Sequence, residues 1–320
     1  MSGAAFYCVA DQRYFLGAVG LVNSLRLVGH DEPIFLLDCG LTVEQRELLA
    51  PHLTLVDAPA DAPPTLLKTI APLRHPAETV ALIDTDLIVT RRLTELLERA
   101  SEGRVVAFRN DMDRFVAEWG AVLDLGSVRR QPYVAFAFVC MDRSLASVVL
   151  GLIEDRQGRI DFDRSTWGRH DPDYPLLYAD QDVLNAILAS RVEADRVVAL
   201  DDRLAPVPPF RGLRVVDEGS LRCAYEDGTE PYVVHHFVVK PWLEPTHHGV
   251  YSRLLRRLLI GDDVTIRVPP DRIPLRLRRG ARAFVERKRV NARERFRLHV
   301  REPLSSSFGG PGARRGGSEK

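Results

Sequence analysis

Residues 81–90 read Ala-Leu-Ile-Asp-Thr-Asp-Leu-Ile-Val-Thr, so two carboxylates, Asp84 and Asp86, stand one residue apart inside an apolar run. Carboxylates that close repel each other unless a cation lies between them. A divalent ion with oxygen ligands fits there and would in turn hold phosphates. The competing role for this pair is to cap a helix over residues 93–100. Three later stretches carry reactive side-chain types. Asp180-Gln181-Asp182 opens a periodic segment, with Asp180 a natural N-cap. His235-His236 is followed closely by Lys240-Pro241-Trp242. An imidazole and an ammonium a few residues apart at a strand end suit a metal–diphosphate site.

The elements around these residues must place them together. The apolar residues before Asp84 read as a strand buried on both faces, as in a parallel sheet. Such a strand carries no charge inside, so Asp84 and Asp86 belong in the crevice outside its carboxyl end, where open α/β sheets bind ligands. Upstream, strands are expected over 4–10, 33–38 and 53–56, with a helix over 15–28 that stops at Gly29. Thr42-Val43-Glu44-Gln45 is a capping-box pattern opening a short helix. A helix over 65–71 would carry Lys68. The alternation argues for an α/β sheet. Downstream, strands are expected over 104–108, 133–141, 196–200 and 232–235, and helices over 114–122, 144–153 and from 180. Between them, residues 157–178 form a long polar loop that could cover a site or bind an acceptor.

The 320 residues are 45% hydrophobic, enough for one large α/β domain or two smaller ones. Cys8, Cys39, Cys140 and Cys223 have no paired spacing and read as buried thiols of a reducing compartment. Asp11 interrupts the first apolar run, which also lacks a basic leader, so no signal peptide is expected. No apolar run approaches the length of a membrane span. Formal net charge is zero, but residues 267–301 hold thirteen Arg/Lys against three Asp/Glu. That excess, interleaved with Leu275, Leu277, Phe284, Val285, Val290, Phe296 and Leu298, suits an anionic membrane surface better than nucleic acid. Residues 305–320 are rich in Gly, Ser and Arg and are expected to be disordered.

In order and spacing, Asp84-Thr85-Asp86, Asp180-Gln181-Asp182-Val183-Leu184-Asn185, a histidine at 235 or 236 and Lys240-Pro241-Trp242 resemble glycosyltransferase family 8. Val9-Ala10-Asp11 and Leu67-Lys68-Thr69 look like the same family, so the resemblance spans residues 6–242. It implies a GT-A nucleotide-diphospho-sugar transferase fold, a Rossmann-like mixed sheet flanked by helices, over residues 1–262. A basic, partly helical extension over 263–304 would follow. It also implies a retaining hexosyltransferase with a nucleotide-sugar donor, UDP-hexose above all, and Mn2+ or Mg2+. The metal ligands would be Asp84, Asp86 and His235 (or His236), with His235 favoured because Val233-Val234-His235 matches the strand. Donor contacts fall on Ala10, Asp11, Lys68, Asp84, Thr85 and Lys240, and catalysis on Asp180 and Gln181. The acceptor is a glycan or a lipid-linked or other molecule, and the enzyme is expected to be cytoplasmic, peripheral at the inner face of the membrane.

Two departures stand out. The loop between histidine and lysine is short and carries Val238-Val239. At 133–137 the family has Asn-Ala-Gly or Asn-Ser-Gly beside the sugar, where this chain has Tyr-Val-Ala-Phe-Ala. That keeps open a second class, a member of the fold that binds nucleotide or glycan without turnover. A third reading is a haloacid dehalogenase-type phosphatase, with Asp84 as nucleophile and Gly261-Asp262-Asp263 as its later acidic motif.

Overall fold

A computed structural model describes residues 3–59, 63–237 and 239–296. In chain order the elements are β1 (Ala4–Ala10), α1 (Phe15–Leu27), β2 (Ile34–Asp38), α2 (Val43–Leu49) and β3 (Thr54–Asp57). Then come α3 (Ile70–Arg74), β4 (Thr79–Ile83), β5 (Leu87–Val89), α4 (Thr94–Ser101), β6 (Val105–Arg109) and α5 (Trp119–Val122). The second half holds β7 (Val134–Asp142), α6 (Arg143–Gln157), α7 (Asp180–Arg191), β8 (Val197–Leu200), β9 (Arg214–Asp217) and β10 (Arg222–Ala224). Last are β11 (Val233–His235), α8 (Val250–Ile260) and α9 (Ala281–Phe296).

Among the described residues, seven strands form the central sheet in the order β3-β2-β1-β4-β7-β6-β8. Pairings are parallel from β3 to β4 and between β6 and β8, and antiparallel on both sides of β7. Successive strand residues point to opposite faces, which divides the core in two. Phe6, Cys8, Val106, Phe108, Phe138 and Cys140 pack with α1, α4 and α8. Ala5, Tyr7, Val105, Ala107, Val139 and Met141 pack with α6 and α7. Both faces are covered, so the strands read as continuous apolar runs. All four cysteines are free.

The first half follows the sequence closely. The capping box forms, with Thr42 Oγ1 accepting the Gln45 N–H and Gln45 Oε1 accepting the Thr42 N–H. Gly29 follows α1 at φ +90°, a conformation open to glycine. Three expectations need correction. The helix over 65–71 is split into a 3-10 turn, Pro64–Leu66, and α3, leaving Lys68 between them. Pro72 is the cause: its ring would clash with the Lys68 carbonyl in a continuous helix, and it is tolerated only in a first turn. The helix over 114–122 shrinks to α5, because Arg114 is drawn to Asp182 and the Pro175 carbonyl instead. Asp180 is the first residue of α7 but caps nothing: the N-cap is Ala179, with no side-chain cap bond.

Sequence patterning missed β5, the β9–β10 hairpin and α8. The strand β5 is only three residues long and pairs with β11, far away in sequence. Helix α8 buries Tyr251, Leu254, Leu255, Leu258 and Leu259 against α1. The chain beyond it also enters the core: Ile266, Val268, Ile273 and Leu277 are buried there. Asn23 binds that return to α1, with Nδ2 donating to the Leu258 and Ile266 carbonyls and Oδ1 accepting the Ile266 N–H.

Candidate metal and donor site

Asp84 follows the last residue of β4, and a tight turn closed by the Leu87 N–H to the Asp84 carbonyl (3.1 Å) carries Asp86 into β5. The acidic pair therefore lies at a strand's carboxyl end, as its apolar flanks require. Neither aspartate caps α4, whose N-cap is Leu93. Close packing against α1 holds the turn. A Cβ on Gly17 would lie 2.5 Å from the Thr85 carbonyl oxygen and 2.9 Å from the Trp242 ring, so glycine alone permits this approach. Thr85 Oγ1 reaches the Val9 carbonyl (3.2 Å) and Trp242 Nε1 the Arg13 carbonyl (2.7 Å). Gly17 was not legible as a site residue; the available signal was a glycine inside a helical pattern, which usually has a packing reason.

The antiparallel β5–β11 pair brings the histidines across. Register sets His235 opposite Leu87, and Asp84, Asp86 and His235 each offer one atom, all within 4.8 Å of one another. His235 Nε2 lies 3.3 Å from Asp86 Oδ1. His236, one residue on, points the other way. It is buried against Tyr251 and Phe210, and its pKa is held down to about 4 by burial and then by Lys240.

Two lysines divide the charge. Lys240 Nζ is 2.6 Å from Asp86 Oδ2 and 2.6 Å from the His236 carbonyl oxygen. Lys68 Nζ lies 2.9 Å from Asp84 Oδ1, 3.2 Å from Asp180 Oδ2 and 3.2 Å from the Phe136 carbonyl oxygen. Burial pushes the Asp84 carboxyl up, the Asp86 charge adds to that, and Lys68 only partly opposes them. At Asp86 burial acts in the same direction but is outweighed by His235 and Lys240, which hold its carboxyl well below the usual range. Asp86 Oδ1 is buried and makes no hydrogen bond among the described residues. Two carboxylates and an imidazole converging here are a donor set that fits a divalent metal ion.

The remaining predicted residues sit around this centre. Ala10 ends β1 and accepts the Cys39 N–H. Asp11 Oδ1 accepts the N–H groups of Arg13 and Tyr14 ahead of α1. Gln181 Oε1 accepts the Phe136 N–H (3.2 Å). Asn185 makes paired bonds with the Val134 N–H and carbonyl. The 133–137 segment thus works through its backbone, with the Phe136 N–H holding Gln181 and its carbonyl and ring holding Lys68. Sequence reading missed Arg114 and Tyr133, which hold the fully buried Asp182 and so fix the start of α7. Ala179, just before Asp180, is buried at φ 47° and ψ −118°, a strained backbone for a residue with a Cβ.

Sheet order and site position define the GT-A fold of nucleotide-sugar glycosyltransferases, as the resemblance to family 8 implies. Two particular structures share it at a TM-score above 0.5. An active-site mutant of LgtC is similar at TM-score 0.52 and 18% identity, over 83% of this chain and 98% of that one. The bifunctional glycosyltransferase WbbM is similar at TM-score 0.51 and 14% identity, over 82% of this chain and 50% of that one. The galactosyltransferase LgtC with donor and acceptor sugar analogues gives TM-score 0.49 at 18% identity, over 83% and 98%. No protein-family model and no curated protein matches the sequence.

Proposed function

We propose that this chain is a retaining, divalent-metal-dependent glycosyltransferase that moves a hexose from a UDP-sugar to a glycan or lipid-linked acceptor. The observation that carries the reading is the Asp84–Asp86–His235 cluster at the end of β4, on a fold shared with glycosyltransferases. Those three residues hold the ion, Mn2+ or Mg2+, which when bound supplies Lewis acidity toward the departing diphosphate.

The chain's own groups do the rest. An ammonium has three N–H donors. Two on Lys240 are taken by Asp86 and His236, and the third is left for a phosphate oxygen. Ala10, Asp11 and Thr85 border the nucleotide, and Lys68 sets the spacing of Asp84 from Asp180. Gln181 is a poor nucleophile, so retention is explained by attack on the face the diphosphate leaves. The Gln181 carbonyl oxygen has a second lone pair, free of the Phe136 N–H, to stabilise an oxocarbenium-like centre. The phosphatase reading loses its second motif: Asp262 is 90% exposed, and Asp263 is paired with Arg257.

Residues 1–262 carry the transfer in this reading, and the extension attaches the enzyme to an anionic membrane surface. Two of the apolar residues expected to serve there, Leu277 and Val290, are instead buried. Phe284, Val285 and Phe296 are exposed on α9 beside exposed Arg282, Lys288, Arg289 and Arg293. Basic groups near an anionic leaflet contribute about 1 kcal/mol each. Leu298 and the tail 305–320 lie outside the described residues. Among the described residues, no helix is long and apolar enough to cross a membrane.

The test of function is manganese-dependent UDP release from a panel of UDP-sugars, with cell extract as acceptor and products read by mass spectrometry. A transferase releases UDP and adds a hexose mass to an acceptor. A binder without turnover releases none.

A further inference from the structure

The segment between α6 and α7 presents an indole to solvent. Trp167 is 59% exposed, whereas Trp119 and Trp242 are buried. A large apolar ring left in water forgoes burial free energy, and here the surrounding loop holds it in place. Ser165 is fully buried, donates to the Phe162 carbonyl (2.7 Å) and accepts the Trp167 N–H (3.2 Å). The Arg169 N–H reaches the Asp163 carbonyl (2.6 Å), closing the turn around Trp167. At Gly168 a Cβ would lie 2.2 Å from that same carbonyl oxygen, so only glycine fits. Arg164 braces the loop by pairing with Asp171 and lying over the Tyr174 ring. The Phe162 ring is parallel to the indole within 6°, at a centroid distance of 6.5 Å. Phe162 thus lies alongside the indole in a parallel plane, and most of the Trp167 side chain stays open to solvent.

Its position matters as much as its exposure. The Thr166 N–H donates to the Leu177 carbonyl (2.8 Å), tying the base of the loop to a residue three places before Asp180. Chain geometry then limits the Trp167-to-Asp180 Cα distance to about 21 Å, within the reach of a short oligosaccharide.

We propose that Trp167, held out by its braced loop beside Phe162, is a stacking platform for a pyranose ring of the acceptor glycan, away from the reacting hydroxyl. This rests on the glycosyltransferase reading above. One face of a pyranose presents polarised C–H groups, which suit the negative face of an indole. Its rim of hydroxyls suits the exposed Arg169 and His170 beside Trp167. A nucleotide diphosphate is held instead through its charge, by the metal cluster and Lys240.

Trp167 reports on itself, because iodide reaches it and not the two buried tryptophans. Lactose, maltotriose and cellotriose are titrated against the full chain, with quenching and calorimetry as readouts and manganese–UDP binding as the control for the donor site. At least one sugar shields the indole, and W167A weakens its binding about tenfold or more, with W167F intermediate. Equal sugar affinity in W167A and the unsubstituted chain overturns the platform. So does a chain that binds UDP with manganese and none of the three sugars, a result that leaves the transferase reading standing. Loss of manganese–UDP binding by the unsubstituted chain itself overturns that reading, and the platform falls with it.

Discussion

Lys240 Nζ sits 2.6 Å from Asp86 Oδ2, although 154 residues separate them in sequence. Lys240 is 5% exposed and Asp86 7%, so the pair is largely buried. Removing one partner of a buried pair leaves an uncompensated charge, at a cost of about 3–5 kcal/mol. Lys240→Met should therefore lower the Tm of the metal-free protein sharply. Manganese should raise the Tm of that variant more than it raises the Tm of the unsubstituted protein, because the ion takes over neutralisation of Asp86. Equal manganese shifts in both proteins would show that Lys240 does not compensate the metal cluster.

Asp180 faces Lys68 and caps nothing, so its substitution separates stability from chemistry. Asp180→Asn should lower stability by no more than about 1–2 kcal/mol, since Asp84 still pairs with Lys68. Turnover should fall by about a hundredfold or more if the carboxylate stabilises the transition state. Thermal melts and UDP release on one preparation read both. A large stability loss with full turnover per folded molecule would return Asp180 to a structural role.

Gln181 should matter more to turnover than to donor binding. Gln181→Ala should reduce kcat by about tenfold or more while donor affinity changes by less than about threefold. NMR of the product made from an α-linked donor should show the α configuration. A β-linked product would rule out front-face attack.

Stability should fall on mild acidification. His248 is held down to about 4 by burial and then by Arg287, Arg256 and Arg253. Its unfolded value is about 6.5, so between those values the unfolded chain binds more protons than the folded one. The contribution is whole above about pH 6.5 and is lost as pH falls toward 4. Allowing for partial exposure, it is about 1–2 kcal/mol. Chemical denaturation at pH 7.5 and 5 should show a smaller loss for His248→Gln than for the unsubstituted chain.

The membrane proposal is tested on side chains, not by truncation. Cutting the chain at Ile260 would strip Ile266, Val268, Ile273 and Leu277 from the core. Phe284→Ser with Val285→Ser alters exposed positions only. The unsubstituted protein should float with anionic vesicles at low salt and be released by high salt, and the double variant should float less. Identical flotation would exclude this face of α9.

The parallel half of the fold was legible because each strand there is a continuous apolar run bounded by turn residues. So was the position of Asp84 and Asp86, since a strand buried on both faces admits no interior charge. What the sequence hid was set by partners distant in the chain. The three residues of β5 are a strand only because β11 pairs with them. Asp180 has the sequence position of a cap, but its carboxylate is turned to Lys68, a residue far back in the chain. Pro72 is the sign in the sequence that a helix through Lys68 must break. His235 matches the strand in sequence, and in the β5–β11 register it stands opposite Leu87.

In the proposed function Asp84 and Asp86 hold a divalent ion that in turn holds the donor. The most direct measurement is calorimetry of UDP binding with and without manganese, on the unsubstituted chain and on Asp84→Asn and Asp86→Asn. UDP binding should depend on manganese and be abolished by either substitution, with folded protein confirmed by circular dichroism. Undiminished manganese-dependent binding in either variant would contradict it.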